Sequence, residues 1–114
     1  MPQECLLCQI ASGEVKSEVL YRDHMSFVIR DINPRAPVHL LIVPLRHFTY
    51  LTYMTEVFEP MVGHLFAVAE EMAKREGIAN QGYRVAINQG TDAGQTIAHL
   101  HAHLLGGRRL GPEG

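Results

Sequence analysis

The sequence predicts one α+β domain over residues 1–114, with four or five antiparallel strands, one long helix and a short N-terminal helix. Three observations predict it. The chain has the length of one ordinary domain. Its middle carries an apolar stripe at helical spacing. On either side lie short apolar or alternating runs bounded by Pro and Gly.

Taken in order, residues 5–12 form a short helix stopped by Gly13. Residues 25–31 read as a strand, and Asn33-Pro34 and Ala36-Pro37 mark a turn. Residues 39–43 are β-rich and end at Pro44, close enough to the previous run to pair with it as an antiparallel unit. The long helix takes Thr55 as N-cap, with Glu56 and Glu59 in a first turn where the helix dipole favours negative charge. Val57, Met61, Leu65, Val68 and Met72 form its apolar stripe, with Met54 also read as core, and Pro60 falls early enough to be tolerated. Gly77 is the natural stop after Lys74 and Arg75. Residues 83–88 alternate as a strand, residues 89–95 are loop, and a last strand runs over residues 99–105 to Gly106-Gly107.

Composition excludes several classes. Ten Lys plus Arg against twelve Asp plus Glu give a net charge of −2, which offers no bulk attraction for nucleic acid or an anionic membrane. No apolar run is long enough to span a bilayer, and the start lacks the pattern of a signal peptide, so a cytoplasmic address is expected. Seven histidines are many for this length, and Cys5 and Cys8 form a Cys-x-x-Cys that reads as metal-binding or redox in a reducing compartment.

The chemistry concentrates at His99, His101 and His103. Alternate residues of a strand share a face, so this spacing sets three imidazoles on one side and Leu100, Ala102 and Leu104 on the other. The outer two are about 13 Å apart along a strand, too far to share one ion, and separate roles follow. A neutral imidazole is a nucleophile near pH 7, and a second ring can offset phosphate charge. The preceding loop, with Gly90, Gly94, Gln95 and Thr96, makes a candidate phosphate cradle of backbone N–H groups and a hydroxyl. His64 reads as a helix-surface residue and His24 as a turn residue. No carboxylate cluster suited to magnesium is visible, so chemistry without a catalytic metal is expected.

The run from Gly94 to Arg108, with its His-φ-His-φ-His-φ-φ core, resembles the signature of the histidine-triad (HIT) family, and its Gly-Gly-Arg ending resembles the Hint branch. Agreement extends through residues 31–39, residues 43–47 and Asn88. The resemblance implies a five-stranded antiparallel sheet that dimerises into a ten-stranded one. It implies hydrolysis or transfer at the α-phosphorus of a purine nucleoside phosphoramidate, an AMP or GMP derivative. Dinucleoside polyphosphate or adenylyl sulfate hydrolysis, or a zinc-stabilised nucleotide-binding dimer, are the alternatives. His101 would form a nucleotidyl-histidine intermediate, with His103 and His39 supporting phosphate and nucleophile and the His99 carbonyl orienting the ring. Thr96 would lie near the leaving group, Asp31 would accept from ribose hydroxyls, and Ile32 would line the base pocket. Asn88, Gly94 and Gln95 would complete the nucleotide site. Cys5, Cys8, His47 and His99 would hold a structural zinc, as in similar bacterial members.

Overall fold

The computed structural model describes residues 5–53, 55–56 and 58–113. Five strands, β1 (Val19–Arg22), β2 (Ser26–Arg30), β3 (Val38–Pro44), β4 (Tyr83–Ala86) and β5 (Ala102–Gly106), form one antiparallel sheet in the order β1-β2-β3-β5-β4. Two helices, α1 (Leu6–Ser12) and α2 (Glu59–Arg75), complete the α+β architecture expected from the sequence. No helix among the described residues is long and apolar enough to cross a membrane.

The central strand β3 is buried along its whole length, and its alternation divides the interior. Val38, Leu40 and Ile42 face α2, where Met61, Leu65, Val68, Ala69, Met72 and Ala73 close the main core. Leu41 and Val43 face the other way and pack with Phe27 and Ile29 under Leu7 and Ile10 of α1. Each fully buried Leu, Ile or Met contributes about 1.5–3 kcal/mol, so both helices are held by apolar contact with the sheet. His39 sits on the α1 side of β3, its ring against that of His103 in β5.

Helix α2 begins later than its sequence signals suggest. Its N-cap is Phe58, which makes no side-chain cap, and Pro60 lies in the first turn. Thr55 instead opens a preceding turn, its carbonyl accepting from the N–H groups of Phe58 and Glu59. Met54 and Val57 lie outside the described residues. The C-terminus behaves as the sequence predicts. Gly77, at φ 76°, donates to the Lys74 carbonyl while Ile78 donates to that of Ala73, a pair of bonds that closes the helix and turns Ile78 into the core.

Strand β1 is the fifth strand that the resemblance implies, at a place the sequence pattern does not mark. It is a four-residue edge strand with no regular burial pattern. Its turn into β2 is organised by Asp23. One carboxylate oxygen accepts from the N–H groups of Met25 and Ser26, both at 2.8 Å. The other accepts from the Tyr21 hydroxyl at 2.8 Å and from His64 Nε2 at 2.6 Å. Burial alone would raise the Asp23 pKa, but the bonds from His64, from the backbone and from Tyr21 outweigh it and hold the carboxyl well below its usual range. His64 is therefore no mere surface residue of α2; it clamps the helix to the β1–β2 turn. His24 is exposed in that turn, as expected.

Candidate active site

Only His103 of the three spaced histidines lies within a ladder. Strand β5 starts at Ala102, opposite Ile42, and residues 97–99 form a bend. The physical reason is β3. It ends at Pro44, which has no N–H to continue the ladder. Residues 99 and 100 are tied down by other bonds: His99 Nε2 donates to the Pro44 carbonyl at 2.9 Å, and Leu100 N–H to that of Phe48 at 2.7 Å. The two-sided alternation survives. Leu100, Ala102 and Leu104 are fully buried in the α2 core, and the imidazoles lie on the other side.

Hydrogen bonding assigns each ring its tautomer, since a carbonyl can only accept and a backbone N–H can only donate. His101 Nδ1 donates to the His99 carbonyl at 2.8 Å, so the lone pair of His101 is on Nε2. Arg35 N–H donates to His39 Nδ1 at 3.1 Å, which places the His39 proton on Nε2. That proton points to His103 Nδ1 at 2.9 Å, with an Asp31 carboxylate oxygen 3.3 Å away. His103 then carries its own proton on Nε2. Burial lowers the His103 pKa to about 4, with the neighbouring His101, His39 and Arg35 adding to the effect. Burial likewise lowers His39. Both rings are neutral at pH 7, one passing its hydrogen bond to the next.

A cavity of about 460 Å³ opens beside these rings. All eight residues expected to contact nucleotide line it: Asp31, Ile32, Asn88, Gly94, Gln95, Thr96, His101 and His103. Gln95 does so as a brace for the loop, accepting from Gly90 N–H at 2.9 Å and donating to the Ile97 carbonyl at 3.3 Å. Gly90 and Gly94 bracket the loop at φ 84° and 85°, conformations that favour glycine. Sequence reasoning missed the opposite wall. Leu6, Leu7 and Ile10 of α1 line the cavity, and Arg35 stands at it too. The apolar run of α1 was visible in the sequence, but nothing local says which face of the sheet it covers.

Behind His99 lies a second cluster. Cys5, Cys8, His47 and His99 each present one donor atom, all within 4.8 Å of one another. The Cys–His contacts are 3.3–3.4 Å and the two Nδ1 atoms are 3.1 Å apart. A tetrahedral zinc with bonds of about 2.0–2.3 Å has ligand–ligand edges of roughly 3.3–3.8 Å, so two thiols and two imidazoles in this arrangement fit that ion. His99 is prepared for it. Its Nε2–H is committed to Pro44, which leaves Nδ1 as a lone pair, and burial holds its pKa down to about 4. Burial and the neighbouring Cys5 push Cys8 up to about 11, so binding a metal there must displace thiol protons. Asp31, His39 and His103 also converge, but the proton on His39 Nε2 occupies the position from which a ligand would bind.

The neutral His103 predicts a pH dependence of stability. Its ordinary value of 6.5 applies to the unfolded chain, which takes up a proton below that pH while the folded chain does not until about 4. Stability is therefore unaffected by this group above pH 6.5 and falls by about 1.4 kcal/mol per pH unit within the window. Urea unfolding at pH 7, 6 and 5 should show stability falling with pH, His99 and His39 contributing in the same direction, and a slope smaller by about one proton in His103→Gln. An identical slope in the variant would remove the assignment.

A family model described as the HIT domain matches residues 12–110. The chain is 38% identical over 112 residues to a protein of Escherichia coli K12 named purine nucleoside phosphoramidase, covering 98% of this chain and 94% of that one. A HIT family hydrolase from Legionella pneumophila superposes with a TM-score of 0.93 at 37% identity, covering 97% of this chain and all of that one. A zinc-bound histidine triad family protein from Mycobacterium smegmatis superposes with a TM-score of 0.82 at 32% identity, covering 95% and 78% respectively.

Proposed function

Since this chain belongs to the HIT domain family, we propose that it hydrolyses purine nucleoside phosphoramidates at the α-phosphorus. The observation that carries the reading is the His101 ring, held by the His99 carbonyl so that an unprotonated Nε2 is available at the wall of the cavity. The name of the Escherichia coli relative supports the substrate class, and the Gly-Gly-Arg after the triad supports a Hint-type member.

His101 Nε2 attacks phosphorus, a P–N bond to histidine forms, and the substrate P–N bond breaks. The amine leaves with that electron pair and takes a proton from water. Water then attacks phosphorus, the bond to His101 breaks, and nucleoside monophosphate is released. His103 Nε2–H and the N–H groups of the Gly94 loop donate to phosphate oxygens, where fixed donors stabilise developing charge. His39 and Arg35 N–H hold His103 in the donating tautomer. Thr96 lies at the leaving group, Asp31 accepts from ribose, and the base rests between Ile32 and α1. Asn88 and Gln95 complete the nucleotide site. This chemistry needs no catalytic metal.

Cys5, Cys8, His47 and His99 hold a structural zinc in this reading, which cross-links the N-terminal segment to the loop before β5. Two such chains join their sheets edge to edge into a homodimer, and both β1 and β4 have an unpaired edge for this. We expect a cytoplasmic protein with no nucleic-acid or membrane partner.

The test is to mix the protein with adenosine 5′-phosphoramidate, quench in alkali (phosphorus–imidazole bonds are acid-labile) and locate any adduct by mass spectrometry. One AMP on His101, formed and lost at the rate of turnover, is the expected result. AMP on another side chain, or product without any adduct, would overturn the mechanism.

A further inference from the structure

Two arginines line the cavity, Arg30 and Arg35; Arg30 is paired with Glu76, and the proposed chemistry does not use the side chain of Arg35. Resting on the reading above, we propose that Arg35 selects substrates whose leaving group bears a negative charge, a carboxylate or a phosphate, near the scissile bond.

Three observations place it there. First, the backbone of Arg35 is pinned on both sides. Its N–H donates to His39 Nδ1 at 3.1 Å, and its carbonyl accepts from the Arg108 guanidinium at 2.8 Å. The side chain therefore starts from a fixed point at the His39–His103 end of the site, where phosphate is proposed to bind, whereas α1 supplies the apolar wall. Second, its charge reaches that end, since it disfavours protonation of both His39 and His103. Third, it has no ion-pair partner among the described residues. Arg30, Arg75 and Arg84 pair with Glu76, Glu71 and Glu113, but no carboxylate lies within 4.0 Å of Arg35. Asp31, the one carboxylate of the cavity, is turned to His39 and to the Asn33 N–H.

An unpaired guanidinium beside a phosphate-binding site is complementary to further negative charge, and a planar fork suits carboxylate and phosphate alike. Arg35 takes no part in bond making. The substrate P–N bond breaks as before, and the charged group of the departing amine is held while it does so. Base and ribose recognition are unchanged, so the selection acts on the part of the substrate beyond phosphorus.

The experiment uses the full chain and three AMP phosphoramidates. Their amines are β-alaninamide, which is neutral, β-alanine, which carries a carboxylate, and aminoethyl phosphate. The readout is the ratio of kcat/KM for each charged substrate over the neutral one. Wild type should favour a charged substrate by roughly tenfold, the size of one screened charge contact. In Arg35→Gln the ratio should collapse to near one, and Arg35→Lys should restore part of it. Whichever charged substrate shows the larger ratio identifies the chemistry preferred. A wild-type ratio near one, or a ratio unchanged in Arg35→Gln, overturns the inference while leaving the phosphoramidase reading intact. Failure of wild type on all three amines and on adenosine 5′-phosphoramidate overturns both.

Discussion

Replacing His101 by alanine is expected to lower phosphoramidate turnover by at least about 10³-fold while leaving AMP affinity within a few-fold. The loss is large because no other ring can take over. His103 presents a protonated Nε2, since its Nδ1 accepts from His39. His99 has one nitrogen on the Pro44 carbonyl and the other among the thiols. His39 is fully occupied between Arg35 N–H and His103. The three spaced histidines are thus three different groups, distinguished by which ring nitrogen is already bonded. Direct attack by water would need a base and an alignment that the remaining rings do not supply. Steady-state rates together with calorimetry of AMP binding check this. A variant that keeps more than a tenth of the rate would show that the assigned nucleophile is wrong.

Much of this site was legible because its signals are local. The alternation of His99, His101 and His103 with Leu100, Ala102 and Leu104 places each set on its own side even where the ladder stops. The stop itself is not local. It depends on Pro44, which is brought beside residues 99–100 only by the pairing of β3 with β5. The same holds for His64, whose partner Asp23 lies 41 residues away, and for strand β1, whose four residues carry no regular pattern. Cys5 and His99 are 94 residues apart, so spacing could not join them. A family resemblance suggested that set, and the folded geometry supplies its distances. Arg35 was invisible for a different reason: a lone arginine after proline has no pattern at all until its backbone is seen bonded on both sides.

Stripping the metal, or the Cys5→Ser, Cys8→Ser double variant, should weaken nucleotide binding as well as stability, although the proposed zinc touches no nucleotide. Protein purified without chelator should contain close to one zinc per chain, and the double variant essentially none. The coupling runs through two elements. Cys5 caps α1, accepting from Cys8 N–H at 3.4 Å, and the next residues, Leu6, Leu7 and Ile10, form a wall of the cavity. His99 links the cluster to the nucleophile, because the residue whose ring meets the thiols is also the one whose carbonyl holds His101. A seven-residue helix is too short to persist alone, so without its cross-link α1 depends on Leu7 and Ile10 for its place. Loosening that wall should cost AMP roughly tenfold in affinity, equivalent to about 1.4 kcal/mol. Backbone amides of residues 5–12 should exchange faster, and β3 should stay protected because its bonds lie in the sheet interior. Metal-free protein with unchanged exchange at residues 5–12 and unchanged AMP affinity would mean that the cluster and the cavity are independent. A double variant that retained its zinc would mean that the ligands were assigned wrongly.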